Sequence, residues 1–315
     1  MIKGRYRLAL GLAIVLLGSC RPASDGLFDT GRVLLRGLAG AEVGVVEVRG
    51  ASIAYMERDA AGPTVVLLHG FASEKDSWLR FLRNIPKHYR IVALDLPGHG
   101  ASSRDSNRNY NIDAMVGLVE SAIHTLTEEP VHVVGTSLGG MIATLYTSRN
   151  PGRVSTLSLY APAGVYPPNP SEFQLRLEDG ENPLIAHSRE EFNRLIDIVF
   201  FDAPPLIWPV GAALRNYSID RAPFHQKIWN DLWLQHPTLD EHLPGIVVPV
   251  LLIWGKNDRV LDVSSVQVFE RLLPRVETVI VDGLGHATVN EQPAAMGRLQ
   301  RDFLARHDGL AGHPR

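Results

Sequence analysis

Val131-His132-Val133-Val134-Gly135-Thr136-Ser137-Leu138-Gly139-Gly140 is the stretch on which the fold turns. A β-branched apolar run ends at Val134 and reads as a buried strand, and Met141-Ile142-Ala143-Thr144-Leu145-Tyr146 continues as an apolar helix that stops before Pro151. Between the two, Gly-Thr-Ser-Leu-Gly places Ser137 on a strand-to-helix turn. So tight a turn strains the backbone of its central residue, and Gly135 and Gly139 remove the Cβ atoms that would strike neighbouring elements. The helix beginning after Ser137 offers unpaired N–H groups and the positive end of its dipole, which favour a negative charge developing at a carbonyl oxygen. Ser137 is therefore a candidate nucleophile.

A serine hydroxyl is a poor nucleophile at neutral pH and needs a histidine base, itself oriented by a carboxylate. Both types occur downstream in matching positions. Pro249-Val250-Leu251-Leu252-Ile253-Trp254-Gly255 reads as a buried strand whose exit loop, Lys256-Asn257-Asp258, carries Asp258. Val276 to Val281 reads as the next strand. Asp282-Gly283-Leu284-Gly285-His286 follows it as a Gly-rich loop, ahead of a helix from about Glu291 to His307. Twelve histidines are present, but His225, His236 and His242 fall in the middle segment, His88 and His124 in amphipathic stretches, and His307 and His313 near the end. None of those follows a late strand through glycines, as His286 does. Asp262, just before Val263-Ser264-Ser265, reads as a helix N-cap, and Asp282 as a turn former, which leaves Asp258 as the carboxylate candidate.

Charge developing on a carbonyl oxygen needs two N–H donors, one from the residue after the nucleophile, here Leu138. The second is expected from the loop after an early strand. Thr64-Val65-Val66-Leu67-Leu68 followed by His69-Gly70-Phe71 has that form, so the backbone of Phe71 is the expected partner. His69 reads as a residue that pins the loop. Ile91-Val92-Ala93-Leu94-Asp95 with Leu96-Pro97-Gly98-His99-Gly100 adds another strand and its turn, which Asp95 and His99 are expected to fix. No His/Cys/Asp cluster has zinc spacing, and no cofactor is expected.

Taken together, these residues resemble the α/β-hydrolase superfamily over about residues 50 to 307. The resemblance is closest to membrane-associated monoacylglycerol lipases and to the bacterial lipases and esterases sharing their pattern. It is carried by His69-Gly70-Phe71, Lys75-Asp76-Ser77-Trp78, Asp95-Leu96-Pro97-Gly98-His99-Gly100, Gly135-Thr136-Ser137-Leu138-Gly139-Gly140, Ala161-Pro162-Ala163-Gly164, Ile253-Trp254-Gly255-Lys256-Asn257-Asp258, Val260-Leu261-Asp262-Val263-Ser264 and Gly285-His286. It implies an α/β fold: a mostly parallel central sheet with helices on both faces and an inserted helical cap. It also implies that Ser137, Asp258 and His286 act as nucleophile, orienting acid and base, with the Phe71 and Leu138 backbones forming the oxyanion hole. Leu138 stands where that branch often has Met, a volume-conserving difference that leaves a backbone donor in place. The implied activity is serine carboxylester hydrolysis of monoacylglycerols or similar lipid esters through an acyl-enzyme. Relatives with an aspartate at the elbow, such as haloalkane dehalogenases, are excluded by Ser137. Carbon–carbon bond hydrolases and amidases share the triad and remain alternatives, as does a non-catalytic binding role.

With 315 residues and 45% apolar composition, the chain can bury one substantial core and an inserted subdomain. Residues 41–164 and 244–310 read as the core and 165–243 as the cap. Phe192, Phe200, Phe201, Trp208, Trp229 and Trp233 of the cap suit an apolar lid over the nucleophile. Residues 1–19 read as a signal peptide: Lys3, Arg5 and Arg7 precede an apolar run from Leu8 to Leu17, shorter than the roughly 20 residues of a membrane-spanning helix. Leu17-Gly18-Ser19-Cys20 resembles a bacterial lipobox, which implies an exported lipoprotein of the bacterial envelope, held on a membrane surface through lipidated Cys20. Cys20 is the only cysteine. Residues 20–40 read as a tether with a short amphipathic lead-in. Loss of the three leader cations takes the formal net charge from −3 to −6, and no basic patch suits nucleic acid.

Overall fold

Alternate residues of the central strands point into two different cores. The computed structural model of the chain describes residues 21–233 and 238–308. In β3 (Thr64–Leu68), Val66 and Leu68 join one apolar cluster while Val65 and Leu67 join the other. The same division separates Val133 from Val134 in β5 (Val131–Thr136) and Leu252 and Trp254 from Leu251 and Ile253 in β7 (Val250–Gly255). A strand buried on both faces has no polar side to show, which is why these runs are continuously apolar.

They belong to an eight-stranded sheet of order β1-β2-β4-β3-β5-β6-β7-β8. Here β1 is Glu42–Val48, β2 Ala51–Arg58, β4 Arg90–Leu94, β6 Val154–Tyr160 and β8 Val276–Val281. Strands β1, β2 and β4 pair antiparallel, and all pairs from β4 through β3 to β8 are parallel. Parallel neighbours bring their C-terminal ends to one edge of the sheet, where ligands of open α/β sheets gather. The expected mostly parallel α/β architecture is thus the observed one.

Helices cover both faces. In chain order they are α1 (Arg21–Ala39), α2 (Leu79–Leu82), α3 (Ile112–Leu126), α4 (Leu138–Arg149), α5 (Glu172–Glu178), α6 (Arg189–Val199), α7 (Val210–Trp233), α8 (Ser265–Leu272), α9 (Thr288–Glu291) and α10 (Pro293–His307). Helices α5, α6 and α7 fall within the 165–243 segment. Ser171 and Ser188 cap the first two, accepting the N–H groups of Gln174 at 3.0 Å and Glu191 at 3.1 Å. The last helix runs Pro293–His307, two residues inside the expected start, and begins at a proline whose missing N–H is harmless at a first helical position. Asp262 does not cap α8 directly; its carboxylate accepts the N–H of Ser264 at 2.9 Å, one turn earlier, and Ser264 takes the N-cap position.

The expected tether over 20–40 departs from the structure, since Arg21–Ala39 is helical. Its charged side chains dock it: Arg21 pairs with Asp220 of α7, Arg32 with Glu74, and Arg36 Nε with Asp76 Oδ1 at 2.6 Å. The signal peptide and Cys20 lie outside the described residues. Among the described residues no helix is long and apolar enough to cross a membrane.

Candidate active site

Ser137 joins β5 to α4 with φ 51° and ψ −120°, a conformation that side chains other than glycine rarely adopt. Surrounding hydrogen bonds hold it there. Its N–H donates to Tyr160 O at 3.0 Å, and its carbonyl accepts the N–H groups of Ala163 at 3.0 Å and Met141 at 3.1 Å. The glycines are required by space: a Cβ on Gly135 would lie 2.3 Å from Gly139 O, and one on Gly139 would lie 2.2 Å from Leu68 O. Ala72 and Ala161, also at positive φ, sit on the neighbouring strand-exit loops, so strained backbone collects at this end of the sheet.

Asp258 leaves the C-terminal end of β7, as the sequence predicts. Its side chain is fully buried and fully used: Oδ1 accepts the N–H groups of Val260 at 2.8 Å and Leu261 at 2.9 Å, and Oδ2 receives His286 Nδ1 at 2.8 Å. That pair fixes the Nδ1–H tautomer of His286 and leaves Nε2 as the basic nitrogen. Ser137 and His286 are not hydrogen-bonded to each other; such contacts often tighten only when substrate binds. Neither Asp262 nor Asp282 reaches His286: Asp282 is exposed and pairs with Lys256 at 3.5 Å.

The Phe71 loop lies directly beside the serine. A Cβ on Gly70 would meet Ser137 Cβ at 3.1 Å, so the loop approaches where only glycine fits comfortably. Among the described residues, neither the Phe71 nor the Leu138 N–H donates to a protein acceptor. His69 pins this loop: its Nε2 accepts the N–H of Leu96 at 3.0 Å and its Nδ1 faces Gly70 O at 2.7 Å, while burial lowers its pKa and keeps it neutral. Asp95, wholly buried, accepts both the backbone N–H and the Nζ of Lys75 at 2.7 Å and the N–H of Ala101 at 2.8 Å. These residues order loops; among the described residues no group of three His, Cys, Asp or Glu side chains is placed to hold a metal ion.

Two residues that fasten the 165–243 segment, the expected cap, carry no motif and escape sequence reasoning. Glu291 Oε1 accepts the N–H of Gly285, next to His286, at 2.9 Å, and its Oε2 accepts those of Phe201 and Asp202, just beyond α6, at 3.0 Å. Arg259, next to Asp258, donates to the carbonyl of Asp197 in α6 and lies 3.6 Å from Glu172 of α5. The backbone of His286 also donates to Val199 O at 3.0 Å. Both loops behind the serine are thus tied to the cap.

The six cap aromatics separate. Trp229 packs against Phe71 with ring centroids 5.6 Å apart, and Trp233 and Phe173 pack on Trp229 at 5.2 and 5.7 Å. Phe192 is buried in the cap, whereas Phe201 is exposed. His225 of α7 stacks on His99 at 5.6 Å and touches the Phe71 ring. A separate cleft of about 570 Å³ between α1, β1 and α7 is lined by Arg32, Arg36 and Asp220 and includes neither Ser137 nor His286.

A serine on a strained elbow, a carboxylate-bound imidazole and two free backbone donors form an arrangement suited to acyl transfer. Comparison with known proteins agrees with the fold that carries it. Residues 65–299 match the alpha/beta hydrolase family. Monoacylglycerol lipase abhd6-B of Xenopus laevis is 33% identical over 269 residues, covering 80% of this chain and 78% of that protein. Lipase 3 of a Moraxella species is 26% identical, covering 83% of this chain and 82% of its own. A crystal structure described as a membrane phospholipase A, a bacterial virulence factor, superposes with a TM-score of 0.88 at 38% identity, covering 98% of this chain and 100% of that one. With residues 65–299 matched by the family and a relative 33% identical over 80% of its length, the chain belongs to the alpha/beta hydrolase family.

Proposed function

We propose that the protein is a serine carboxylester hydrolase acting on monoacylglycerols or similar lipid esters. The observation that carries the reading is His286 Nδ1 bound to Asp258 Oδ2 at 2.8 Å beside the strained Ser137 elbow. His286 Nε2 takes the proton of Ser137 Oγ as that oxygen attacks the ester carbonyl, and Asp258 stabilises the imidazolium. The oxyanion faces the N–H groups of Phe71 and Leu138. Collapse of the tetrahedral intermediate breaks the ester bond, and His286 returns the proton to the departing alcohol. Water, deprotonated by the same nitrogen, then attacks acyl-Ser137, releasing the fatty acid and regenerating the serine. No cofactor enters these steps.

The lipid character of the substrate is supported by the named lipase relatives and by the aromatic face of Phe71, Trp229, Trp233 and Phe173, which suits an acyl chain. Export and anchoring through lipidated Cys20 complete the reading, in keeping with the leader sequence and the membrane phospholipase neighbour. The test is hydrolysis of p-nitrophenyl esters from acetate to palmitate by the protein and by Ser137→Ala. Activity peaking at medium or long chains and lost in the variant supports the reading. Inactivity on every ester, with turnover of vinylogous diketones or amides, replaces it by the carbon–carbon hydrolase or amidase alternative.

A further inference from the structure

Helix α1 is amphipathic with its polarity reversed. Its five charged residues, Arg21, Asp25, Asp29, Arg32 and Arg36, recur every three or four positions and so share one stripe. All of them are engaged within the protein. Arg21 pairs with Asp220 and Asp25 Oδ1 accepts from Asn216 Nδ2 at 3.0 Å, both partners lying on α7. Asp29 pairs with Arg32 at 2.7 Å, Arg32 also pairs with Glu74, and Arg36 with Asp76. The opposite side holds Leu27, Leu34 and Leu38, on one stripe by their spacing of seven and four. Leu38 is 76% exposed, Leu34 64% and Leu27 50%. The helix of a water-soluble surface turns its leucines inward and its charges outward; α1 does the opposite.

We propose that this outward stripe is a membrane-interface surface, with Leu27, Leu34 and Leu38 seated at the boundary between headgroups and acyl chains of a lipid bilayer. Three observations choose a bilayer as occupant. The stripe carries no charge, since the five ionised groups of the helix share the opposite stripe, where each has a hydrogen-bond or ion-pair partner. Chain continuity points the same way: Cys20, the residue the leader sequence marks for lipidation, directly precedes α1 at Arg21. The mounting is also rigid, because the ion pairs reach both the cap helix α7 and the Glu74–Asp76 turn that follows the Phe71 loop. A bilayer met by α1 therefore lies at a fixed orientation to the cap. The inference does not depend on the ester chemistry, and its test reads no activity.

In the full chain, Leu34→Cys and Leu38→Cys are each labelled with an environment-sensitive nitrobenzoxadiazole probe. The wild-type chain, carrying Cys20 alone, sets the background, and Glu129→Cys marks a solvent-exposed position. Each sample is mixed with phosphatidylethanolamine/phosphatidylglycerol vesicles containing a nitroxide near the top of the acyl chain. Emission from the probes at 34 and 38 is expected to fall by roughly half above background, with little change at 129, as for side chains at headgroup depth. Equal quenching at 34, 38 and 129, or none at any of them, overturns the proposal. Interchain disulfides formed at 34 or 38 when the unlabelled variants are oxidised, with no nitroxide quenching of the labelled ones, also overturn it, in favour of a second copy of the chain as occupant. Circular dichroism of each variant confirms that it is folded.

Discussion

Glu291 accepts the N–H of Gly285 at 2.9 Å, and through its second oxygen the same carboxylate holds the backbone of Phe201 and Asp202 at 3.0 Å. One side chain thus joins the loop carrying His286 to the end of a cap helix. Glu291→Gln keeps the shape but presents an amide NH₂ to backbone donors, so at least one of the three hydrogen bonds is lost. We expect kcat to fall by about tenfold with KM little changed, and stability by roughly 1–3 kcal/mol, the range for a lost hydrogen bond to a charged group. Steady-state kinetics and thermal melts of Glu291→Gln and Glu291→Ala check this. Unchanged kcat in both would remove Glu291 from the positioning of His286.

Two glycines near the serine should fail differently. A Cβ on Gly139 meets backbone oxygens of Leu68 and His69 at 2.2 and 2.4 Å, so Gly139→Ala forces the strand and helix apart. Overpacking of that kind typically costs about 1–3 kcal/mol, read as a lower melting temperature. A Cβ on Gly70 meets Ser137 Cβ at 3.1 Å, a contact that shifts the nucleophile more than the fold. Gly70→Ala is expected to melt close to wild type while losing about tenfold or more in kcat/KM, since small misplacements of reacting groups are expensive.

Acid should loosen the cap through His225. Burial, with His69 and Arg104 nearby, lowers this imidazole to about 4, and its ring rests on His99 and Phe71. The unfolded chain binds its proton near 6.5 while the folded chain resists until about 4, so stability is full above the first value and declines as pH falls toward the second. The slope approaches about 1 kcal/mol per pH unit for this group. His225→Phe, which cannot protonate, is expected to lose less melting temperature than wild type between pH 7 and pH 4.5. Parallel curves for the two proteins would show that His225 does not carry the effect.

Asp258→Asn keeps the size of the side chain but removes the charge that stabilises an imidazolium and can impose the wrong tautomer on His286. A loss of about 10⁴-fold in kcat is expected, as for the equivalent change in a serine protease triad. Asp262→Asn and Asp282→Asn, whose carboxylates bind Ser264 N–H and Lys256, should stay within a few-fold of wild type. Activity kinetics of the three variants side by side decide which carboxylate serves the histidine.

Much of the sheet is legible in the sequence because strands buried on both faces read as near-continuous apolar runs, as in Val65–Leu68 of β3 and Val250–Gly255. Ser137 and His286 are legible for a related reason: glycines mark the close approaches around them. Glu291 is not, since its partners are backbone N–H groups up to 90 residues away and leave no trace in side-chain identity. Arg21–Ala39 reads as a tether with only a short amphipathic lead-in, and its full helix is missed because its packing face is charged and three glycines interrupt it. Hydrophobic periodicity finds helices by the face they bury, and here the apolar face is the one turned outward.

The central claim is that acyl transfer passes through Ser137. The most direct measurement is intact-protein and peptide mass spectrometry after brief exposure to a fluorophosphonate and, separately, to p-nitrophenyl butyrate. The account predicts a single covalent adduct mapped to the peptide containing Ser137, absent in Ser137→Ala and formed far more slowly in His286→Ala. Ester hydrolysis persisting at the wild-type rate in Ser137→Ala, or an adduct on another residue, would contradict it.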